Sequence, residues 1–376
     1  MNKVYCKLKE VQIRGFKSIK EIDIKLNNLN ILIGANGSGK SNFVSFFRML
    51  SFMIDKSEGL KYYVAEKGGA DKLFYYGFKN TQEINASFIL ENNSGEKYKY
   101  LMSLSKSDDD MLFFTEEKIA YTGPRKTMEP VPVSLGWGHT DTKLNCIGQD
   151  HKRFHTVNVI KNNMRRWRFF QFHDTSKDAY IRNYSDIKDN KYLRDNGGNV
   201  AAFLYMLRDH YPVNYKQIVM TVKQMAPFIE DFVLEPDYSG KNIRLGWKEY
   251  DKDFEFSADQ LSDGTLRAIA LTTLLLQPNL PNLICIDEPE LGLHPNAINV
   301  LADLLKKAST KAQIIVSTQS PALIDNFEME NIIVSDRING SSQFRRLQEK
   351  EYENWLEEYS LSQLWESNLI GGKPSR

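Results

Sequence analysis

Apolar and polar residues alternate through Lys7–Ile13 and again through Ile22–Leu26, and a compact apolar run follows at Leu29–Ile33. A period of two predicts three strands. Directly after the third the chain reads GANGSGKS and then NFVSFFRMLSFMI, whose length and spacing predict a buried helix. Strand, glycine loop, helix is the order a phosphate site needs, because helix N-terminal N–H groups face the anion. Between Glu83 and Tyr121 three strand-like segments, INASFIL, KYKYLMSL and MLFFTEEKIAY, are divided by Asn-Ser-Gly and Ser-Asp-Asp-Asp turns. They read as an antiparallel meander forming an added β lobe. From Gly123 to Asp141 the chain carries Pro124, Pro130 and Pro132 with little periodicity, which predicts a loop.

Helical spacing returns in Val200–Asp209 and Tyr215–Met225, and FVLEPD and NIRLGWKE carry strand signals. The chain then reaches QLSDGTLRAIALTTLLLQ, the apolar strand LICIDEPE, a helix opening near Pro295 and the strand QIIVSTQS. This alternation of strand and helix gives an α/β class. The expected organisation is an N-terminal half of the core with a β lobe over residues 1–121, an inserted and largely helical lobe over 122–256, a C-terminal half over 257–345, and a tail over 346–376.

With 49 Lys and Arg against 48 Asp and Glu, the formal charge of +1 excludes a strongly basic body, so any nucleic-acid surface must be a local patch. The start lacks the apolar core of a signal peptide and no run of about 18 apolar residues occurs, so a cytoplasmic protein without membrane spans is expected. Cys6, Cys146 and Cys285 lie far apart, without the spacing of a zinc site, and are expected to be reduced.

Three motifs carry chemistry. Gly34-Ala35-Asn36-Gly37-Ser38-Gly39-Lys40-Ser41 fits G-x-x-x-x-G-K-[ST], in which backbone N–H groups cradle nucleotide phosphates. Lys40 is expected to meet the β/γ-phosphates and the Ser41 hydroxyl to bind Mg²⁺. The strand Leu283–Ile286 ends in Asp287 and Glu288, which divide the work of holding the metal and activating water. Leu261-Ser262-Asp263-Gly264-Thr265 opens a helix, where the serine also satisfies the pattern of a helix cap.

Taken in order, these motifs resemble the ABC superfamily. LKEVQIRGFKSI matches the family's opening strand, and LSDGT looks like the signature LSGGQ, which binds the γ-phosphate held on the P-loop of a second subunit. QFHDTS, QLSDGTLR, IDEPELGLHP and STQSP are similar to the RecF/SMC-like branch of AAA ATPases found among prokaryotic defence genes, which includes the ATPase parts of overcoming-lysogenization-defect nucleases. The resemblance implies ATP and Mg²⁺ as cofactors, Ser262 and Gly264 as trans contacts to ATP, and Glu288 as the catalytic base. It places Gln319 at the switch position, where most members have a histidine; glutamine donates one hydrogen bond but cannot become cationic. Gln171 falls where the family's Q-loop glutamine touches Mg²⁺, with His173 and Asp174 nearly as well placed, and Glu290 to Pro295 fall in the D-loop region.

The implied function is an ATP-driven switch that dimerises around two ATP molecules and handles nucleic acid in antiphage defence, with a separately encoded nuclease or other effector. The alternative is a nucleotide-binding adaptor with little turnover. A self-contained nuclease needs a further domain and, with 57 residues after Gln319, is not the expected reading. Lys161, Arg165, Arg166 and Arg168 around Trp167, Phe169 and Phe170 offer a basic-aromatic patch for phosphates and bases, against the plainer reading of a strand with core aromatics.

Overall fold

The computed structural model describes residues 4–55, 57–124, 131–148 and 153–373. They divide into two compact units. One comprises Met1–Arg168, Pro281–Ile284 and Met329–Arg376; the other comprises Phe169–Leu280 and Cys285–Glu328.

In the first unit the opening strands and the meander are one sheet. Six strands run in the order Ile19–Lys25, Cys6–Phe16, Ile84–Asn92, Lys97–Lys106, Leu112–Thr122 and Val133–Gly136. The expected β lobe is thus continuous with the N-terminal hairpin, and Val133–Gly136 turns part of the expected proline-rich loop into an edge strand. Residues 125–130 of that loop, Pro130 among them, lie outside the described residues. Alternation buries Leu8, Val11 and Ile13 on one face. Against it the helix Lys40–Asp55 sets Phe46 edge-on to Phe16, with ring centroids 5.5 Å apart. Trp167 meets Phe47 and Phe88 at 5.8 and 5.5 Å. Large T-shaped aromatic pairs of this kind fill a core with little void.

Separately, the wholly buried strand Leu29–Ile33 pairs in parallel with Ile332–Ile338, Ile31 opposite Ile332 and Ile33 opposite Val334. That strand pairs antiparallel with Ser341–Arg346. The passage from strand to loop at Ile33 is therefore held by backbone bonds on a strand drawn from the far end of the chain.

A buried carboxylate fixes the edge of the large sheet. Glu117 is fully buried, accepts from Tyr100 Oη at 2.7 Å and from Lys143 N at 2.8 Å, meets His139 Nε2 at 2.8 Å, and also takes the Thr142 hydroxyl. Glu117→Ala strands these donors in the interior. It is expected to cost about 3 kcal/mol of unfolding free energy in urea, with Glu117→Gln costing less.

The second unit packs the helices Val200–His210, Pro212–Met225, Asp263–Leu276 and Pro295–Ser309 against one another. Residues Leu266 to Leu276 are buried all round the helix, which marks it as central. A small antiparallel sheet of Ile229–Val233, Gly246–Glu249 and Glu255–Ser257 accompanies them, with Trp247 stacked on Phe256.

Candidate nucleotide site

The P-loop glycines are required by their surroundings. A Cβ on Gly34 would lie 2.3 Å from the Ser335 carbonyl oxygen, and one on Gly39 would lie 2.0 Å from Ser342 Oγ; φ is +151° and +111° respectively. Only glycine fits either place. Gly37, at φ +79°, and Asn36 are exposed, so that part of the loop is open to an incoming phosphate. Lys40 is 6% exposed, and its ammonium donates to the carbonyls of Gly34 at 2.5 Å and Ala35 at 3.1 Å. Ser38 is buried and accepts from Ser335 Oγ at 2.9 Å, whereas Ser41 is exposed on the first turn of the helix. These residues fit a nucleotide: N–H groups at a helix start, a lysine folded on the loop and a free-facing hydroxyl.

The turn of the N-terminal hairpin braces the helix that follows the loop. Asn42 Nδ2 donates to Ser18 Oγ at 2.7 Å, and Ser18 bonds Ser342 at 2.7 Å. Beside it Lys17 takes a left-handed φ of 50° and donates to Ser45 Oγ at 2.6 Å; burial pushes its ammonium down to about 8.

The C-terminal tail is a further support that motif reading missed. Gly372 O accepts from Ala35 N at 2.7 Å, and Gly372 N donates to Asp336 Oδ1 at 2.7 Å. Gly372 sits at φ +85°, where a Cβ would lie 2.9 Å from Trp365 Nε1, 3.1 Å from Val334 Cγ1 and 3.4 Å from Gly34 Cα. The only signal in sequence is the Gly371-Gly372 pair, which carries no phosphate motif. Gly372→Val is expected to push the strap off the P-loop and weaken ATP binding about tenfold by calorimetry, equivalent to 1.4 kcal/mol. Unchanged affinity would mean that the strap does not set the loop.

In the second unit the acidic strand ends in a connected polar cluster. Glu288 has φ 43°, a left-handed value that is uncommon for a residue other than glycine, and its N–H donates to Ser317 O at 2.8 Å. Its Oε1 accepts from Gln319 Nε2 at 2.6 Å, so the expected base and switch residues are in direct contact. Asp287 accepts the Ser317 hydroxyl. Its carbonyl oxygen is 3.0 Å from His173 Nε2, and His173 Nδ1 is 3.2 Å from Gln171 Nε2. Gln171 therefore joins the cluster through His173, while Asp174 turns away to bond Ser176. A half-buried carboxylate with a second oxygen left over at Asp287 suits a hard cation such as Mg²⁺. Glu290 is buried against Thr318, and burial raises its carboxyl above the ordinary range.

Two buried arginines shape the signature loop. Ser262 caps the helix Asp263–Leu276, accepting from Thr265 N at 3.2 Å, and remains exposed. Arg182, 6% exposed, donates to the carbonyls of Ala258 and Leu261 at 2.6 and 3.1 Å and pairs with Asp263 at 2.8 Å. Arg267 bridges the carbonyls of Phe172, His173 and Leu291 at 2.8–2.9 Å, tying the Gln171 segment to the D-loop region. A Cβ on Gly264 would lie 2.1 Å from Gly292 O, so this signature glycine lets the D-loop region pass over it. Motif reading named Gly264 but neither arginine, because an isolated arginine in sequence does not disclose a buried fork.

In the basic-aromatic segment the structure supports the plainer reading of a strand with core aromatics at Trp167 and Phe170. Trp167 and Phe170 are 2% and 3% exposed and belong to the core, and Arg168 donates to the carbonyls of Arg165 and Trp167. Those two rings therefore offer no stacking platform, while Phe169 is half-buried.

Residues 7–133 match a family model described as "AAA ATPase domain", and residues 141–325 match one described as "AAA domain, putative AbiEii toxin, Type IV TA system". Over 371 residues the chain is 24% identical to the Old nuclease of Escherichia phage P2, covering 92% of this chain and 62% of that protein. The chain thus spans less than two thirds of that relative's length. It is 27% identical over 159 residues to the "Retron Ec83 probable ATPase" of Escherichia coli, covering 38% of this chain and 28% of that one. In fold it is similar to an SMC head solved with the C-terminal winged-helix domain of ScpA, with TM-score 0.60 and 16% identity over 92% of this chain and 99% of that one. The chain thus matches AAA ATPase-domain models over residues 7–133 and 141–325 and has the fold of an SMC head, which fits the resemblance to RecF/SMC-like ATPases.

Proposed function

We propose that the protein is an ATP-hydrolysing switch that dimerises head to head. ATP sits on the P-loop through Gly34, Asn36, Gly37, Ser38, Gly39 and Lys40, and Ser262 and Gly264 of a second copy close over its γ-phosphate. When bound, Mg²⁺ neutralises charge between the β- and γ-phosphates, with Ser41, Asp287 and Gln171 as the residues that would hold it. Glu288 takes the proton of the attacking water and Gln319 orients it.

The observation that carries this reading is the signature loop. Ser262 is exposed at a helix N-terminus, yet its loop is fixed by Arg182 and its glycine is packed bare against Gly292. A surface loop held so firmly, with N–H groups and partial positive charge at its end, suits an anion supplied from outside the chain.

The relatives' names support a place in defence, and the Old nuclease's name supports a nuclease as the partnered activity. By the same analogy the output is the handling of nucleic acid in the cytoplasm; no helix among the described residues is long and apolar enough to cross a membrane. The Gln319–Glu288 contact favours the adaptor reading as a second possibility, since the switch amide is committed to the carboxylate at 2.6 Å.

Light scattering of the full chain with Mg²⁺ and adenylyl imidodiphosphate tests the dimer. The mass is expected to double with nucleotide, and Ser262→Arg is expected to bind nucleotide yet stay monomeric. A wild-type chain that binds nucleotide and remains monomeric sinks the sandwich.

A further inference from the structure

The turn after Asp287 carries a carboxyl group that the proposed hydrolysis does not use. Glu290 stands two residues past Glu288 and is 9% exposed. A carboxyl at that burial is unfavourable unless its neighbours hold it, so its partners show what keeps it there. One oxygen, Oε1, accepts the Thr318 hydroxyl. The other, Oε2, is buried with no hydrogen-bond partner among the described residues. Burial drives the group toward its neutral form; the charge of Glu288 adds to that, and the backbone N–H of Gln319 opposes it.

Thr318 is the residue before the switch position and is fully buried. Its Oγ1 donates to Glu290 and accepts from Ser320 N at 3.0 Å, so one hydroxyl pins the backbone on either side of Gln319. Gln319 Nε2 in turn donates to Glu288 Oε1 at 2.6 Å, and Glu288 N donates to Ser317 O at 2.8 Å. The bonds close a ring from Glu288 through Gln319 and Thr318 to Glu290 and back along the chain. The far side of Glu290 is anchored as well. Its carbonyl accepts from Leu293 N at 3.0 Å, and the adjoining Leu291 carbonyl takes Arg267 at 2.8 Å.

A link that only joined two strand ends would be made more favourably by an apolar pair of the same volume, because a half-satisfied buried carboxyl is penalised. What the acid supplies and an apolar pair does not is a directional bond beside Gln319.

We propose that Glu290 is a positioning residue for the switch: through Thr318 it sets the backbone of Gln319, so that the Gln319 amide is presented to Glu288 and to the attacking water. This rests on the reading of the chain as an ATPase with Glu288 as its base. The role is indirect, and it makes Glu290 the point where the segment Glu290–Pro295 acts on the switch strand.

Phosphate release by the full chain at saturating Mg-ATP, scaled to the nucleotide bound per chain by calorimetry, tests the role. Glu290→Ala and Thr318→Val are each expected to lower turnover about tenfold with ATP affinity kept within about twofold, the effect of one lost hydrogen bond on the reacting geometry. Glu290→Gln and Thr318→Ser, which keep an acceptor and a hydroxyl in the same places, are expected to restore most of it. The route is read in a Gln319→Ala background. There Glu290→Ala is expected to lower turnover by less than about twofold more, because both changes act through one contact, whereas a general loosening of the fold lowers it equally in both backgrounds. Equal losses in the two backgrounds, no loss from Glu290→Ala alone, or equal losses from Thr318→Val and Thr318→Ser overturn the proposal. A wild-type chain that binds ATP and releases no phosphate fails earlier, at the hydrolytic reading, and the positioning role falls with it.

Discussion

Glu288→Gln is expected to lower phosphate release by at least about 100-fold while leaving nucleotide binding intact, the loss typical of removing a general base. The substitution is isosteric, and its amide oxygen still accepts the 2.6 Å bond from Gln319 Nε2. The N–H bond to Ser317 O and the left-handed backbone at φ 43° do not involve the side chain, so the strand end keeps its form. What disappears is the negative charge and the ability to take a proton. The same variant should accumulate the ATP-bound dimer, since closure survives and opening by hydrolysis does not. Turnover equal to wild type removes Glu288 from the base role, and the adaptor reading gains if wild-type turnover is itself negligible.

How far the chain could be read beforehand depends on whether each feature is local. Gly34, Gly37 and Gly39 are legible because the constraint that selects them, a backbone turning N–H groups toward an anion, acts over eight residues. The buried strand Leu29–Ile33, apolar but for Asn30, and the apolar run Leu283–Ile286 are legible for the same reason. Arg182, Arg267 and Gly372 are not, because their work is done on carbonyls or loops far along the chain: Arg182 on Leu261, Arg267 on Leu291, and Gly372 on Ala35. Continuity of the meander with the N-terminal hairpin is hidden likewise, since it rests on pairing Val11 with Phe88, which are far apart in the chain with strands and helices between them. The segment RRWRFF was ambiguous because a short aromatic strand alternates in the same way whether its rings face a core or a ligand. Only the company of Phe47 and Phe88 decides for Trp167.

Lys40→Ala is expected to abolish nucleotide binding at working concentrations, an affinity loss of about 100-fold or more, corresponding to roughly 2.7 kcal/mol. The lysine stem is buried and its ammonium is held on the Gly34 and Ala35 carbonyls, so the charge is already positioned by the loop that receives the phosphates. A preplaced cation loses little freedom when the anion arrives, and charge-assisted bonds to phosphate are among the stronger polar contacts. Lys40→Arg should not restore affinity, because a planar guanidinium does not fit a pocket shaped around a compact ammonium at 6% exposure. This variant and Glu288→Gln answer different questions. Loss of binding in Lys40→Ala holds for a switch and for an adaptor alike and establishes GANGSGKS as the ATP site; only the response of phosphate release to Glu288→Gln tells the two apart. If Lys40→Ala binds ATP as wild type does, the nucleotide is held elsewhere and the hydrolytic role of Glu288 falls with the P-loop.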